Sequence, residues 1–147
     1  MTPALPATRE QIAALIPHQG AMCLLDEVQE STDDSVRCLS RSYSSPGNPL
    51  RREGRLSAVV LCEYGAQAMA VHGGIHAHAA GRRPPAGWLV ALREVQLNVV
   101  TVESAGALEV VARRLAASDT AWQYEFAVTQ AGHLLARGRA TVKLVRE

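Results

Sequence analysis

Glu63 is the acidic residue of this chain whose sequence surroundings best suit chemistry. It stands in the apolar run 61–70, and Gln67 follows four residues later. Side chains four residues apart share one face of a helix, so the two groups are expected to be neighbours. Desolvation raises a carboxyl pKa toward neutrality, which suits proton transfer near pH 7. The pattern predicts a general acid or base at Glu63; the alternative is a structural acid bonded to Gln67 or to the preceding loop.

His72 and His76 have the same spacing, which can chelate a metal ion on a helix. No third ligand stands in a suitable pattern, and Gly73-Gly74 weakens a helix at this point. We therefore expect both histidines on a solvated surface and predict no metal site.

The composition predicts one globular domain, residues 1–147, with a formal net charge of +1. This charge gives no long-range attraction to nucleic acid or to a membrane surface. No stretch approaches the ~20 apolar residues of a membrane span, and the N-terminus has no signal-peptide pattern. The three cysteines have no metal-type spacing. These features predict a reduced, cytoplasmic protein without nucleic-acid or membrane partners.

The order of elements predicts the fold class. Thr8 and Gln11 form a capping-box pattern that begins a short helix, which Pro17 ends. A long helix is predicted over 56–80 and is apolar almost all round as far as Val71. Strands are predicted over 22–28, 36–43, 87–99, 108–115, 122–129 and 134–145. An antiparallel sheet must wrap this helix to bury it, which predicts an α+β protein with the hotdog fold.

Two motifs resemble those of the β-hydroxyacyl-(acyl carrier protein) dehydratases. Residues 16–28 are similar to their opening Leu-Pro-His…Leu-Leu-Val-Asp…Val signature. Residues 63–68 are similar to the Glu-Ala-x-Ala-Gln segment of their central helix. The sequences of residues 48–50 and 63–73 most resemble those of the small dehydratase-like proteins of aryl polyene pathways. The order of elements extends the resemblance over nearly the whole chain.

The resemblance implies elimination of water from a 3-hydroxyacyl thioester to give the trans-2-enoyl thioester, without a cofactor. In that family an acid on the central helix works with a histidine of the preceding loop, and peptide N–H groups near the helix start hold the thioester carbonyl. Glu63 matches the acid, and we expect Gly65 and Gln67 to contact the substrate. Residues 44–56 contain no histidine. Asn48, at the place of a polar partner, is expected to bind substrate but cannot carry a proton.

His18 is therefore the candidate for the second catalytic group, and a structural role is its alternative. The missing loop histidine leaves three functions open: a dehydratase, a thioesterase in which a carboxylate activates water or attacks the thioester, and a non-catalytic hotdog subunit that pairs with an active relative. The substrate carrier is expected to be acyl carrier protein or coenzyme A. A homodimer or heterodimer is expected, because a lone hotdog domain exposes a sheet edge.

Overall fold

The N-terminal helix, α1, is shorter than predicted. The computed structural model describes residues 5–6, 8–16, 20–41, 43, 45–82, 87–103 and 106–144. Helix α1 covers Arg9–Ala13, and Thr8 Oγ1 accepts a hydrogen bond from the backbone N–H of Gln11 at 3.2 Å. The predicted N-cap at Thr8 is confirmed, but the helix ends at Ala13, before Pro17.

The long helix, α2, runs through Leu61–Ala79 after a 3₁₀ turn at Ala58–Val60. It therefore lies within the predicted range, but it does not weaken at Gly73-Gly74. A side chain at Gly74 would place its Cβ 2.7 Å from the carbonyl oxygen of Leu15. The absence of a side chain lets the segment after α1 pack closely against α2.

Six antiparallel strands form one sheet in the order β1-β2-β4-β5-β6-β3. The strands are β1 (Glu27–Ser31), β2 (Ser35–Ser40), β3 (Gly87–Leu97), β4 (Leu108–Ala117), β5 (Ala121–Gln130) and β6 (His133–Leu144). The first strand was predicted over 22–28 and this is wrong at its start. Residues 20–22 form a 3₁₀ turn, and the backbone at 22–24 bonds to a side chain of α2 instead of to a strand.

The inner face of the sheet packs on α2. Alternate residues are buried along β4 and β5, including Val110, Tyr124 and Phe126, and Leu61, Tyr64 and Val71 of the helix join the same core. The other face carries cross-strand ion pairs, with Arg113 Nε 3.0 Å from a Glu125 carboxylate oxygen and Arg139 Nε 3.0 Å from one of Glu94. One helix wrapped by one antiparallel sheet is the hotdog arrangement, so the predicted fold class is confirmed.

Strand β3 forms one edge of the sheet and is the most exposed of the apolar strands. Its partly exposed large apolar side chains are Leu89, Val90, Leu92, Val95 and Leu97, and Val90 is 55% exposed. An edge with this composition is suited to pairing with another chain. None of the described helices is long and apolar enough to cross a membrane.

Candidate active site

Gln67 is the centre of the polar contacts around the predicted acid. Its side chain is fully buried, and its Oε1 accepts a hydrogen bond from the backbone N–H of Leu24 at 2.9 Å. Its Nε2 donates to the carbonyl of Met22 at 2.6 Å and to Glu63 Oε1 at 3.3 Å. The Gln67 amide therefore holds residues 22–24 against α2. It also orients the Glu63 carboxylate, which lies one helical turn before it.

Glu63 lies in the first turn of α2 and is partly buried. The predicted shared face with Gln67 is confirmed by their hydrogen bond. The next residue on its N-terminal side, Cys62, is a poor nucleophile, because burial raises the pKa of its thiol.

Asn48 and Tyr64 join the loop before α2 to the helix. Asn48 is buried; its Nδ2 donates to the Tyr64 hydroxyl at 2.9 Å, and its Oδ1 accepts from the backbone N–H of Leu50 at 2.9 Å. Tyr64 is fully buried, and burial raises the pKa of its phenol, so the hydroxyl keeps its proton. Both ends of the Asn48 amide thus have partners within the protein, and they hold the loop against the start of α2.

Gly65 faces the sheet. A Cβ at this position would lie 2.6 Å from Cγ and Cδ2 of Phe126. The contacts of Gly65 in the structure are therefore packing contacts between α2 and β5, and they set how closely the N-terminal half of α2 approaches the sheet.

The side chains of Arg9 and Ser40 also hold the segment 20–26. Arg9 Nη2 donates to the carbonyls of Gly20 and Cys23, and Arg9 Nε lies 3.6 Å from Asp26 Oδ1. Ser40 Oγ donates to the carbonyl of Leu24 at 2.7 Å. Helices α1 and α2 and strand β2 therefore fix this segment together. Sequence reasoning missed Arg9, Ser40 and Tyr64, because their partners are far away along the chain.

His18, the predicted second catalytic group, lies outside the described residues. Its neighbours in sequence, Ile16 and Gly20, are described, and Ile16 belongs to the core. The catalytic role of His18 stays a prediction.

His72 and His76 lie toward the other end of α2, and the expectation that both are solvated is wrong for His72. That residue is fully buried, with Nδ1 2.8 Å from the Tyr124 hydroxyl and Nε2 3.1 Å from the carbonyl oxygen of Thr32. His76 Nε2 lies 2.9 Å from the same oxygen. His76 Nε2 also lies 3.1 Å from His72 Nε2, so the two rings and the Thr32 carbonyl form one polar cluster. The described residues contain no group of three metal-ligating side chains.

Burial is also the main cause that lowers the pKa of His72 to about 4, which the bond with Thr32 partly opposes. The ring is therefore neutral at pH 7. The neutral ring contacts Tyr124 and Thr32, so it joins α2 to β5 and to the turn between β1 and β2.

A family model described as ApeP dehydratase, ApeP-like, matches residues 10–146. No curated protein matches the chain significantly. The solved structures that resemble it include the dehydratase heterocomplex ApeI:P from Xenorhabdus doucetiae, with a TM-score of 0.84 and 22% identity over 92% of this chain and 91% of that chain.

Two more distant structures have the same architecture. AziG from S. sahachiroi has a TM-score of 0.63 and 18% identity over 90% of this chain and 99% of its own. A thioesterase from Haemophilus influenzae has a TM-score of 0.61 and 11% identity over 82% of this chain and 78% of its own. At these identities the likenesses show the shared fold.

Proposed function

Because the chain belongs to the ApeP-like dehydratase family, whose model matches residues 10–146, we propose that it eliminates water from a 3-hydroxyacyl thioester to give the trans-2-enoyl thioester. The observation that carries this proposal is the Glu63 carboxylate, held at 3.3 Å by Gln67 beside the fixed segment 22–24. A carboxylate oriented by a buried amide is suited to repeated proton transfer at one place.

In the proposed reaction, the C–H bond next to the thioester carbonyl breaks and its electrons form the carbon–carbon double bond. The C–O bond to the β-hydroxyl breaks, and the hydroxyl leaves as water after it receives a proton. Glu63 takes part in this proton transfer, and His18 supplies the second group. Asn48, Gly65 and Gln67 shape the surroundings of the thioester, and no cofactor is needed for the balance of atoms and electrons.

The substrate proposed is a thioester of acyl carrier protein or of coenzyme A. The loop before α2 bears exposed Arg52 and Arg55 and partly buried Arg51. These cations follow Asn48, whose side chain contacts the helix turn that carries Glu63. A basic loop beside the proposed catalytic carboxylate suits either an acidic carrier protein or the phosphates of coenzyme A.

We further propose that the functional unit contains a second hotdog subunit joined through β3. The exposed apolar side chains of this edge strand support the proposal. The similar structure from Xenorhabdus doucetiae is described as a heterocomplex of dehydratases, ApeI:P. Pairing along β3 would cover the unpaired backbone groups and the apolar side chains together.

A non-catalytic subunit is the second candidate, and Asn48 favours it. Where the family has a loop histidine, this chain has an amide whose donor and acceptor both bind the protein itself. In this role the chain would complete and stabilise the site of an active partner, and Glu63 would be a structural acid.

The experiment that separates the two functions is mass spectrometry of a 3-hydroxyacyl carrier-protein substrate. The purified chain is incubated alone and with an active hotdog dehydratase, as wild type, as Glu63→Gln and as Glu10→Gln, an exposed acid of α1 that serves as the control. The dehydratase proposal expects loss of water with the chain alone, abolished by Glu63→Gln and kept by Glu10→Gln.

A different pattern overturns the catalytic proposal. Loss of water only in the presence of the active partner, unchanged by Glu63→Gln, would identify a non-catalytic subunit. Release of free thiol in place of the enoyl product would identify a thioesterase.

A further inference from the structure

A cavity of about 430 Å³ lies at the C-terminal end of α2, and we call it the α2-end cavity. The helix rises about 1.5 Å per residue, so His76 in its wall is roughly 20 Å from Glu63 along the axis. The cavity is therefore separate from the candidate active site. It is lined by Gly73, His76, Ala77, Arg82, Arg114, Ser118, Asp119, Trp122 and Leu144.

Its two arginines have no carboxylate partner among the described residues. The ion pairs found there involve other arginines, those at positions 9, 37, 41, 113 and 139. Arg114 lies with its guanidinium carbon 5.3 Å from the centroid of the Trp122 ring. Its Nη2 donates to the carbonyl of Asp33 at a long 3.4 Å, and its guanidinium also interacts with the Tyr124 hydroxyl. The side chain of Arg82 is exposed. A guanidinium has five N–H donors, so most of the donors of Arg114 remain for a ligand.

The helix end does not use these cations as caps. The carbonyls of the last turn are already bonded to backbone N–H groups, from Ala80 to His76, from Gly81 to His78 and from Arg82 to Ala77. His76 and Ser118 add polar groups to the wall. Against these donors stands one carboxylate, that of Asp119. The charge of the lining therefore favours an anion.

Two other cavities among the described residues bind their arginines in a different way. In the cavity on the outer sheet face, Arg113 and Arg139 pair with Glu125 and Glu94, and Arg137 Nε donates to Gln96 Oε1 at 3.0 Å. In the cavity beside the loop before α2, Arg51 is bound to the carbonyls of Tyr43 and Gly54. The α2-end cavity combines two arginines that have no ion pair among the described residues with the indole of Trp122, which lies beside Arg114.

The remaining lining is apolar, formed by Gly73, Ala77, Trp122 and Leu144. The C-terminal end of a helix carries a partial negative charge, so an anion held here by charge alone would bind weakly. We propose that the α2-end cavity binds an amphipathic carboxylic acid, with the carboxylate on Arg82 and Arg114 and the apolar body against Trp122 and the helix. This site does not depend on the proposed dehydratase activity.

Octanoate is the probe that tests the site. Acetate, which has the carboxylate without the long chain, and 1-octanol, which has the chain without the carboxylate, are the two controls. Calorimetric titration of the full chain should show saturable binding of octanoate, and binding of acetate and of octanol weaker by about tenfold or more. The indole resonance of Trp122 should shift with octanoate in the same concentration range.

Two neighbouring arginines supply a matched pair of variants. Arg114→Met should weaken octanoate binding by about tenfold, since a charge-assisted contact is lost. Arg113→Met should change it by less than about twofold, because this side chain lies on the outer face and pairs with Glu125. Arg82→Met, at an exposed position that the fold does not need, should also weaken binding.

The inference is overturned by equal binding of octanol and octanoate, by equal losses in Arg113→Met and Arg114→Met, or by the absence of saturable binding. Octanoate that binds near Glu63 would keep its affinity in both Arg82→Met and Arg114→Met, and this outcome also rejects the α2-end site.

Discussion

At the Gln67 side chain, one amide connects the central helix, the segment after α1 and the Glu63 carboxylate. Its bonds to Leu24 and Met22 join residues 43 and 45 positions apart along the chain. The donor and acceptor are buried, so loss of the amide leaves backbone groups without partners. Gln67, which the sequence predicts to contact the substrate, therefore also holds the candidate site together.

Gln67→Ala should lower the free energy of unfolding by about 1–3 kcal/mol, the usual cost of leaving buried polar groups without partners. Urea unfolding measures the change. Gln29→Ala, on an exposed position of β1, is the control and should stay within about 0.5 kcal/mol of the wild type. Equal stability of the two variants would show that the Gln67 bonds do not hold the segment.

The pKa of His72 makes the stability depend on pH with a definite sign. Its folded pKa is about 4 against a usual value of 6.5, so between these values the unfolded chain binds more protons. The contribution of the neutral His72 ring to the free energy of unfolding is complete above about pH 6.5 and is lost as the pH falls toward 4. Each pKa unit between the two states corresponds to about 1.4 kcal/mol.

Urea unfolding between pH 7.5 and about 4.5 tests this sign. The wild type should lose stability as the pH falls, and His72→Gln should lose less over the same interval. His78→Gln, at an exposed position of the same helix, should keep the slope of the wild type. A slope unchanged by His72→Gln would contradict the assignment.

At the scale of elements, Gly65 sets the distance between α2 and β5. Gly65→Ala adds about 1 kcal/mol of helix propensity, but its Cβ would meet Phe126 at 2.6 Å. The steric clash should outweigh the gain in helix propensity, so the free energy of unfolding should fall by about 1–3 kcal/mol. The same substitution in a Phe126→Ala background should cost less, and a double-mutant cycle by urea unfolding measures the coupling.

Gly47→Ala is the control for this cycle, because its Cβ would meet only Ser45 Oγ at an ordinary 3.7 Å. Additive effects of Gly65→Ala and Phe126→Ala would show that the helix can move away from the sheet at little cost.

Periodicity was sufficient to predict α2, the four later strands and the shared face of Glu63 and Gln67, since all of these follow from local spacing. It was insufficient for residues 22–24, whose backbone groups bond to side chains of Arg9, Gln67 and Ser40 instead of to the backbone of a neighbouring strand. The burial of His72 was missed for the same reason, because its partners Thr32 and Tyr124 are distant in sequence.

At the scale of the molecule, the proposed pairing along β3 predicts an oligomer that one charge disrupts. Val90→Lys, at the middle of the edge strand, should shift the sedimentation coefficient toward that of a monomer, since it places a charge among the apolar side chains to be covered. Leu115→Lys, also at an exposed apolar position but on β4, is the control. Equal sedimentation of the two variants would place any interface elsewhere.

The sheet order also determines when that edge becomes available during synthesis. Strands β4, β5 and β6 pair in sequence through short turns and are expected to form early. The only described neighbour of β3 in the sheet is β6, which is translated after every other described strand. The apolar β3 must therefore remain unpaired until the ribosome has released β6. We expect pairing with a second subunit through β3 to follow the synthesis of β6, and the nascent chain to depend on chaperones during this interval.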